Sequence, residues 1–155
     1  MQAVANDTRL AEWAGRGVAT PDHVIRTKAS PLVLPPPPQR GAGWDAWEGE
    51  LAGALQAYQD RYRAMFERQN ARVGGHKRML DPLPRLLAVP GLGLIGVGRS
   101  AADAAVTADI GEAWARTLLA AESIGRFEPV NEDDTFDMEY WSLEQAKLGK
   151  AVEKP

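Results

Sequence analysis

The residues able to do chemistry fall into a few short constellations. Gly91, Gly93 and Gly96 in "PGLGLIGVGRS" keep the G-x-G-x-x-G spacing. In a dinucleotide loop that spacing lets the backbone approach a pyrophosphate at a helix N-terminus. His23, Arg26 and Lys28 follow Thr20-Pro21, a pair suited to a helix start, so cations and free N–H groups would converge there on a phosphate or carboxylate. Arg72, His76, Lys77 and Arg78 form a basic loop within reach of a sugar phosphate held by a neighbouring domain. Glu132, Asp133, Asp134, Asp137 and Glu139 offer the oxygen ligands of a hard cation, though without EF-hand spacing.

Each constellation also has a plainer reading. The helix after the glycines is capped at Ser100, past the strand-like "VG" that follows Gly96, so the glycines miss the helix entrance. The later segment "RFEPVNEDDTFDMEYW" supplies no second apolar strand for a βαβ unit. The glycines therefore read as points of close packing against a sheet rather than as a cofactor site. Both basic groups also suit solvated or interdomain turns, and acids at a helix start are favoured by its dipole without any metal. There is no cysteine, the two histidines lie far apart, and no G-x-S-x-G nucleophile elbow occurs. This reading assigns the chain no catalytic residue, metal site or cofactor, and keeps His23, Arg26 and Lys28 as its candidate anion-binding group.

The elements that must carry these residues follow from periodicity. Asp7 to Gly15 reads as a short helix, "DHVIRT" as a brief helical turn, and "SPLVL" as a short edge strand that Pro35–Pro38 must end in an extended run. Trp44, Trp47, Leu51, Leu55, Tyr58, Tyr62 and Met65 recur at helical steps, predicting a helix from Trp44 to about Arg72. Gly49 and Gly53 weaken it, which makes sense if another backbone packs closely there; a frayed first turn fits equally. "RLLAV" and "LGLIGV" flank Pro90-Gly91, a pair suited to a type II turn. Ser100 and Asp103 match a capping box, so a helix should run to about Ile124 with Ala102, Val106, Ile110, Ala113, Thr117 and Ala121 inward. A last helix is expected from Glu132 to Leu148, capped by Asn131, with Phe136, Tyr140 and Leu143 on one stripe.

The expected architecture is thus α/β (α+β), mostly helical, with a small sheet around 85–97. Residues 1–43 read as an extended arm, 44–150 as a helical and sheet-bearing connecting domain, and 151–155 as a linker tail. At 155 residues the chain can bury one moderate core. A net charge of −3 argues against a nucleic-acid partner, and no apolar run is long enough to span a membrane. The absence of cysteine and of a signal-like N-terminus fits a cytoplasmic protein. Trp44, Trp47, Trp114, Tyr140 and Trp141 are many large amphipathic residues for such a chain, which points to surfaces facing partners and to self-association into a homo-oligomer.

Two blocks carry a family resemblance. "ATPDHVIRTKASPLVL" and "LDPLPRLLAVPGLGLIGVGRSAADAAVTADIGEAW", with the following "AESIGRFEPVNEDDTFDMEYWSLEQAKLGK", resemble the middle of bifunctional enzymes. Those enzymes join a class II (adducin-type) aldolase to a short-chain dehydrogenase, the type being rhamnulose-1-phosphate aldolase/lactaldehyde dehydrogenase. The resemblance implies that zinc and NAD belong to flanking aldolase and dehydrogenase domains, which would be this chain's partners. It also implies a degenerate aldolase-like unit over 44–125. Setting the family's last glycine on Gly98 puts Gly93 on its His-Gly glycine and Leu92 on its metal-binding histidine. Leucine has no lone pair for a cation.

Overall fold

The computed structural model describes residues 2–39 and 43–143. The chain order is α1 (Gln2–Ala5), α2 (Leu10–Ala14), a 3₁₀ turn (Pro21–His23), α3 (Val24–Thr27), β1 (Leu32–Val33), α4 (Trp44–Arg72), β2 (Leu86–Val89), β3 (Gly93–Gly96), α5 (Ala101–Ile124) and α6 (Glu132–Glu139). A three-stranded sheet runs β1-β2-β3. β1 is parallel to β2, with Leu32 opposite Leu87. β2 and β3 form an antiparallel hairpin, with Leu87 opposite Ile95 and Leu86 opposite Gly96.

The hairpin turns at Pro90-Gly91 because proline presets the first central position and glycine takes the positive φ the second requires. Gly91 has φ +85°, and the Leu92 N–H reaches the Val89 carbonyl at 3.0 Å. The glycines divide by role. Gly91 and Gly93 (φ +125°) serve the turn, and nothing stands within 4 Å of a Cβ built at either. Gly96 and Gly98 let α5 approach: a Cβ at Gly96 would lie 2.2 Å from the Ala104 carbonyl oxygen, and one at Gly98 2.4 Å from the Ala104 nitrogen.

Helix α5 starts where its cap dictates, the Ser100 hydroxyl accepting the Asp103 N–H at 3.1 Å. Its buried residues are Thr107, Gly111, Trp114, Ala115 and Leu118, so the face is turned by one residue from the expected stripe, and Val106 is 43% exposed. Gly111 explains the turn, since Leu86 Cδ1 would stand 2.5 Å from its Cβ and so fills the notch that glycine leaves. Trp114 can then swing inward and donate its indole N–H to the Gly17 carbonyl at 3.0 Å.

The N-terminal residues expected as an extended arm are instead part of the core. Val4, Leu10 and Trp13 cluster with Leu86, Ala88, Trp114, Ala115, Leu118 and Phe127. Each such side chain, fully buried, contributes about 1.5–3 kcal/mol, more than an unpacked arm can supply. Phe66, Phe136 and Tyr140 form a second cluster, the Phe136 and Tyr140 rings stacked at 4.5 Å. Helix α6 is shorter than expected: it closes at Glu139, and Leu143 is 61% exposed. Residues 142–143 are again helical, and the remainder of the predicted helix and the tail, 144–155, lie outside the described residues. Helix α4 has the predicted bounds, but its buried positions begin only at Tyr58. No atom lies within 4 Å of a Cβ at Gly49 or Gly53, so the close-packed backbone expected there is absent among the described residues.

These contacts give opposite signs to two glycine substitutions. Gly96→Ala should lower stability by about 3 kcal/mol, because backbone cannot yield to the new methyl. Gly53→Ala should raise it by about 1 kcal/mol through helix propensity alone. Urea unfolding of both variants checks the pair.

Candidate functional site

Lys28 ends α3 with φ +64°, the left-handed value that non-glycine residues rarely take. That kink turns its side chain inward. The side chain is 6% exposed and its ammonium lies 3.0 Å from Glu139 Oε1, on a carboxylate side chain only 1% exposed. The same ammonium donates to the Tyr62 hydroxyl oxygen at 3.0 Å. The Tyr62 hydroxyl lies 2.9 Å from Glu139 Oε1 and 2.7 Å from the Tyr140 hydroxyl.

One proton arrangement satisfies every contact. The Leu80 N–H donates to the Tyr140 oxygen at 3.1 Å, Tyr140 donates to Tyr62, and Tyr62 donates to Glu139. Burial keeps both phenols protonated for this role. It pushes Tyr140 up to about 12, and Tyr62 higher still, with the Glu139 charge adding to the rise. Tyr58, also raised chiefly by burial, donates to the Ser30 carbonyl at 2.9 Å. Glu139 Oε2 is left without a partner among the described residues. The network joins α3, α4, α6 and the segment before β2 in one buried polar latch.

The candidate anion-binding residues are thereby separated in role. His23 and Lys28 line one cavity of about 10 Å³ together with Thr27 and Trp114, room for a single water. Arg26 is half-buried and is not among the lining residues. The Lys28 charge is matched by Glu139, so the three cations do not converge on an open anion cradle. Sequence reasoning missed Glu139 and Tyr62 as the lysine's partners, and Tyr140 behind Tyr62. Tyr62 and Tyr140 have aromatic periodicity, which reads as packing alone.

The acidic segment has a comparable fate. Glu132 receives Arg68 at 2.9 Å, Arg72 pairs with Asp137, and Gln69 donates to Asp133 at 2.7 Å. The acids of α6 thus face the basic end of α4. No group of three or more metal-ligating side chains occurs among the described residues. In the basic loop, the Lys77 ammonium donates to the Tyr140 carbonyl at 3.1 Å.

A second polar node sits at Glu122. It accepts the Phe127 N–H at 2.7 Å, Arg16 at 2.6 Å and the Trp13 indole N–H at 3.2 Å. The Phe127 N–H first, with Arg16 and Trp13 behind it, holds its carboxyl below the usual carboxylate range. Beside this node a cleft of about 170 Å³ is lined by residues that include Arg16, Ser30, Met65, Glu132 and Thr135.

A hairpin feeding a capped helix, braced by helices on both sides, makes this a mostly helical α/β domain. The family described as "Aldolase class II, second domain" matches residues 1–148, and the chain belongs to it. A Bacillus subtilis (strain 168) protein named "Uncharacterized oxidoreductase YuxG" is 27% identical over 132 residues, which cover 85% of this chain. The chain spans 19% of that relative's length. No solved structure matches the chain. Among the described residues no helix is long and apolar enough to cross a membrane.

Two outcomes test the polar nodes. Lys28→Met should cost about 3–5 kcal/mol because it strands a buried carboxylate, and adding Glu139→Leu should restore much of the loss; chemical denaturation of the single and double variants reads this out. Glu122 has a folded pKa depressed from 4.5, so its contribution is present above that pH and lost as pH falls through the lower folded value. Glu122→Gln should therefore flatten the acid limb of the melting-temperature profile.

Proposed function

We propose that this chain is the connecting and docking module of a bifunctional class II aldolase/short-chain dehydrogenase of the rhamnulose-1-phosphate aldolase/lactaldehyde dehydrogenase type. The observation that carries the reading is the pairing of two likenesses. The chain belongs to an aldolase class II second-domain family, and its relative, of which the match covers 19%, is named an oxidoreductase. In this reading zinc and NAD belong to the flanking domains, and the segment between them contributes position rather than catalysis.

Two features of the chain support a docking role. Its inward-facing ionic groups answer one another, with Lys28 on Glu139 and Arg16 on Glu122, so neither cation stands open to a phosphorylated substrate. Its surface meanwhile keeps large apolar side chains in water, among them Trp44 (50% exposed), Trp141 (48%) and Ile124 (92%). Side chains of this kind suit an interface core. Leu92, on the position the resemblance gives to a metal-binding histidine, is 60% exposed in the hairpin turn. The unit β2–β3–α5 is then an aldolase-like packing unit whose turn offers no ligand to a cation.

Thermal-shift titration with dihydroxyacetone phosphate, lactaldehyde and NAD tests the assignment. The melting temperature should stay constant with all three. A saturable shift that disappears in His23→Ala would replace the docking role with a ligand-binding one.

A further inference from the structure

We propose that the Lys28 ammonium and the Tyr62 hydroxyl form a carboxylate-binding site that α6 fills from within, and that α6 is a strap whose release admits a small carboxylate from solution. The chemistry of the site is defined by its occupant. Glu139 Oε1 accepts from Lys28 at 3.0 Å and from Tyr62 at 2.9 Å, so one carboxylate oxygen takes two donors, one of them charged. Neither donor is carried by α6. Lys28 is turned inward by its own backbone, at φ +64° with its N–H on the Val24 carbonyl at 2.8 Å, and its ammonium lies 4.1 Å from the centre of the Tyr62 ring. Tyr62 stands on α4. The two donors therefore stay together on α3 and α4 when α6 is withdrawn. A single ammonium matches a monoanion, which selects a carboxylate over a phosphate monoester of nearly two charges.

The occupant is held by only one of its two oxygens. Glu139 Oε2 has no partner among the described residues, on a side chain only 1% exposed. An unsatisfied buried polar atom costs about 1–3 kcal/mol, and a charged one more. A dissolved carboxylate that enters with α6 withdrawn takes the same two donors on one oxygen and keeps water on the other. It avoids the cost that Glu139 bears, so it binds the open form and not the closed one.

Three features let α6 leave as a unit. Phe136 and Tyr140 pack on Phe66 in a cluster separate from the one that joins the sheet, α5 and the N-terminal helices. The ion pairs from α6 to α4, Glu132 with Arg68 and Asp137 with Arg72, are partly exposed, and pairs of that kind contribute about 0–1 kcal/mol each. Phe127 is anchored in the main core, whereas Glu128, Val130 and Asn131, which lead from it to α6, are exposed. A movement about that link lifts Phe136, Glu139 and Tyr140 together and leaves the larger core intact. Elements tied down by a small satellite cluster and exposed pairs open at lower free energy than the core they cover.

Amide hydrogen exchange on the whole chain, in acetate and in chloride of equal ionic strength, tests the strap. Chloride accounts for screening of the exposed pairs. The amides of α6 should exchange through one shared opening, and acetate should speed them roughly twofold or more over chloride, saturably, while the Trp114 and Leu118 amides of α5 keep their rate. Glu139→Ala removes the occupant and leaves its space, so acetate should raise the melting temperature of that variant saturably. Adding Lys28→Met should abolish the rise. Equal exchange of α6 in acetate and chloride would overturn the proposal, as would a Glu139→Ala variant that acetate stabilises no more than chloride does. The exchange measurement uses the unmodified chain, so it decides the matter even where Glu139→Ala fails to fold. Dihydroxyacetone phosphate, lactaldehyde and NAD carry no carboxylate, so the outcome is independent of the docking role.

Discussion

Moving an ammonium and a carboxylate out of water costs several kcal/mol each, and Lys28 and Glu139 offset that cost only through each other. The surrounding geometry follows from this requirement. Helix α6 must bring its last turn against the end of α3, and α4 must place Tyr62 where its hydroxyl meets both charges. The left-handed backbone at Lys28, a strain on the order of 1 kcal/mol, is the local consequence of turning that side chain inward. Tyr140 passes the constraint to the segment before β2 through the Leu80 N–H. A helix of eight residues has little stability of its own, so α6 depends on this latch and on the Phe136–Tyr140 stack beneath it.

The sheet side of the molecule is organised by contact distance rather than charge. Because Gly96 and Gly98 have no side chains, α5 lies directly on β3, and because Gly111 has none, Leu86 fits into α5 from β2. The glycine at 96 that suggested a cofactor loop is therefore a packing point, whereas Gly91 and Gly93 shape the turn before it. Arg16 and Glu122 tie this assembly to the N-terminal helices, with Phe127 and Trp13 supplying further donors to the same carboxylate. The first residues of the chain are held as firmly as the hairpin because they share its core.

Local signals were legible in the sequence where a single residue type decides the outcome. Ser100 and Asn131 cap the helices they should cap, Pro90-Gly91 makes the turn, and α4 begins and ends at the predicted residues. Tertiary choices were not. The α5 face could not be read because alanines stand all round that helix, and only the notch at Gly111 selects the side that faces Leu86. The candidate cations were visible as a cluster, but only His23 and Lys28 turn toward one small cavity, and Arg26 is not among its lining residues. The left-handed turn at Lys28 sends one of them into the core, and no residue type at 28 announces it. Its counter-charge stands more than a hundred positions away, at the last residue of α6.

Interior and surface divide the charged and apolar residues in an uneven way. Inside, the ionic groups at Lys28 and Arg16 meet carboxylates held within hydrogen-bond distance, so the domain is braced by polar nodes as well as by apolar area. That bracing frees apolar residues from the core, and several stand in water on separate elements: Trp44 opens α4, Ile124 closes α5 and Trp141 follows α6. Prolines bracket β1 on one side of the sheet, and on the other side α1 and α5 both pack against β3.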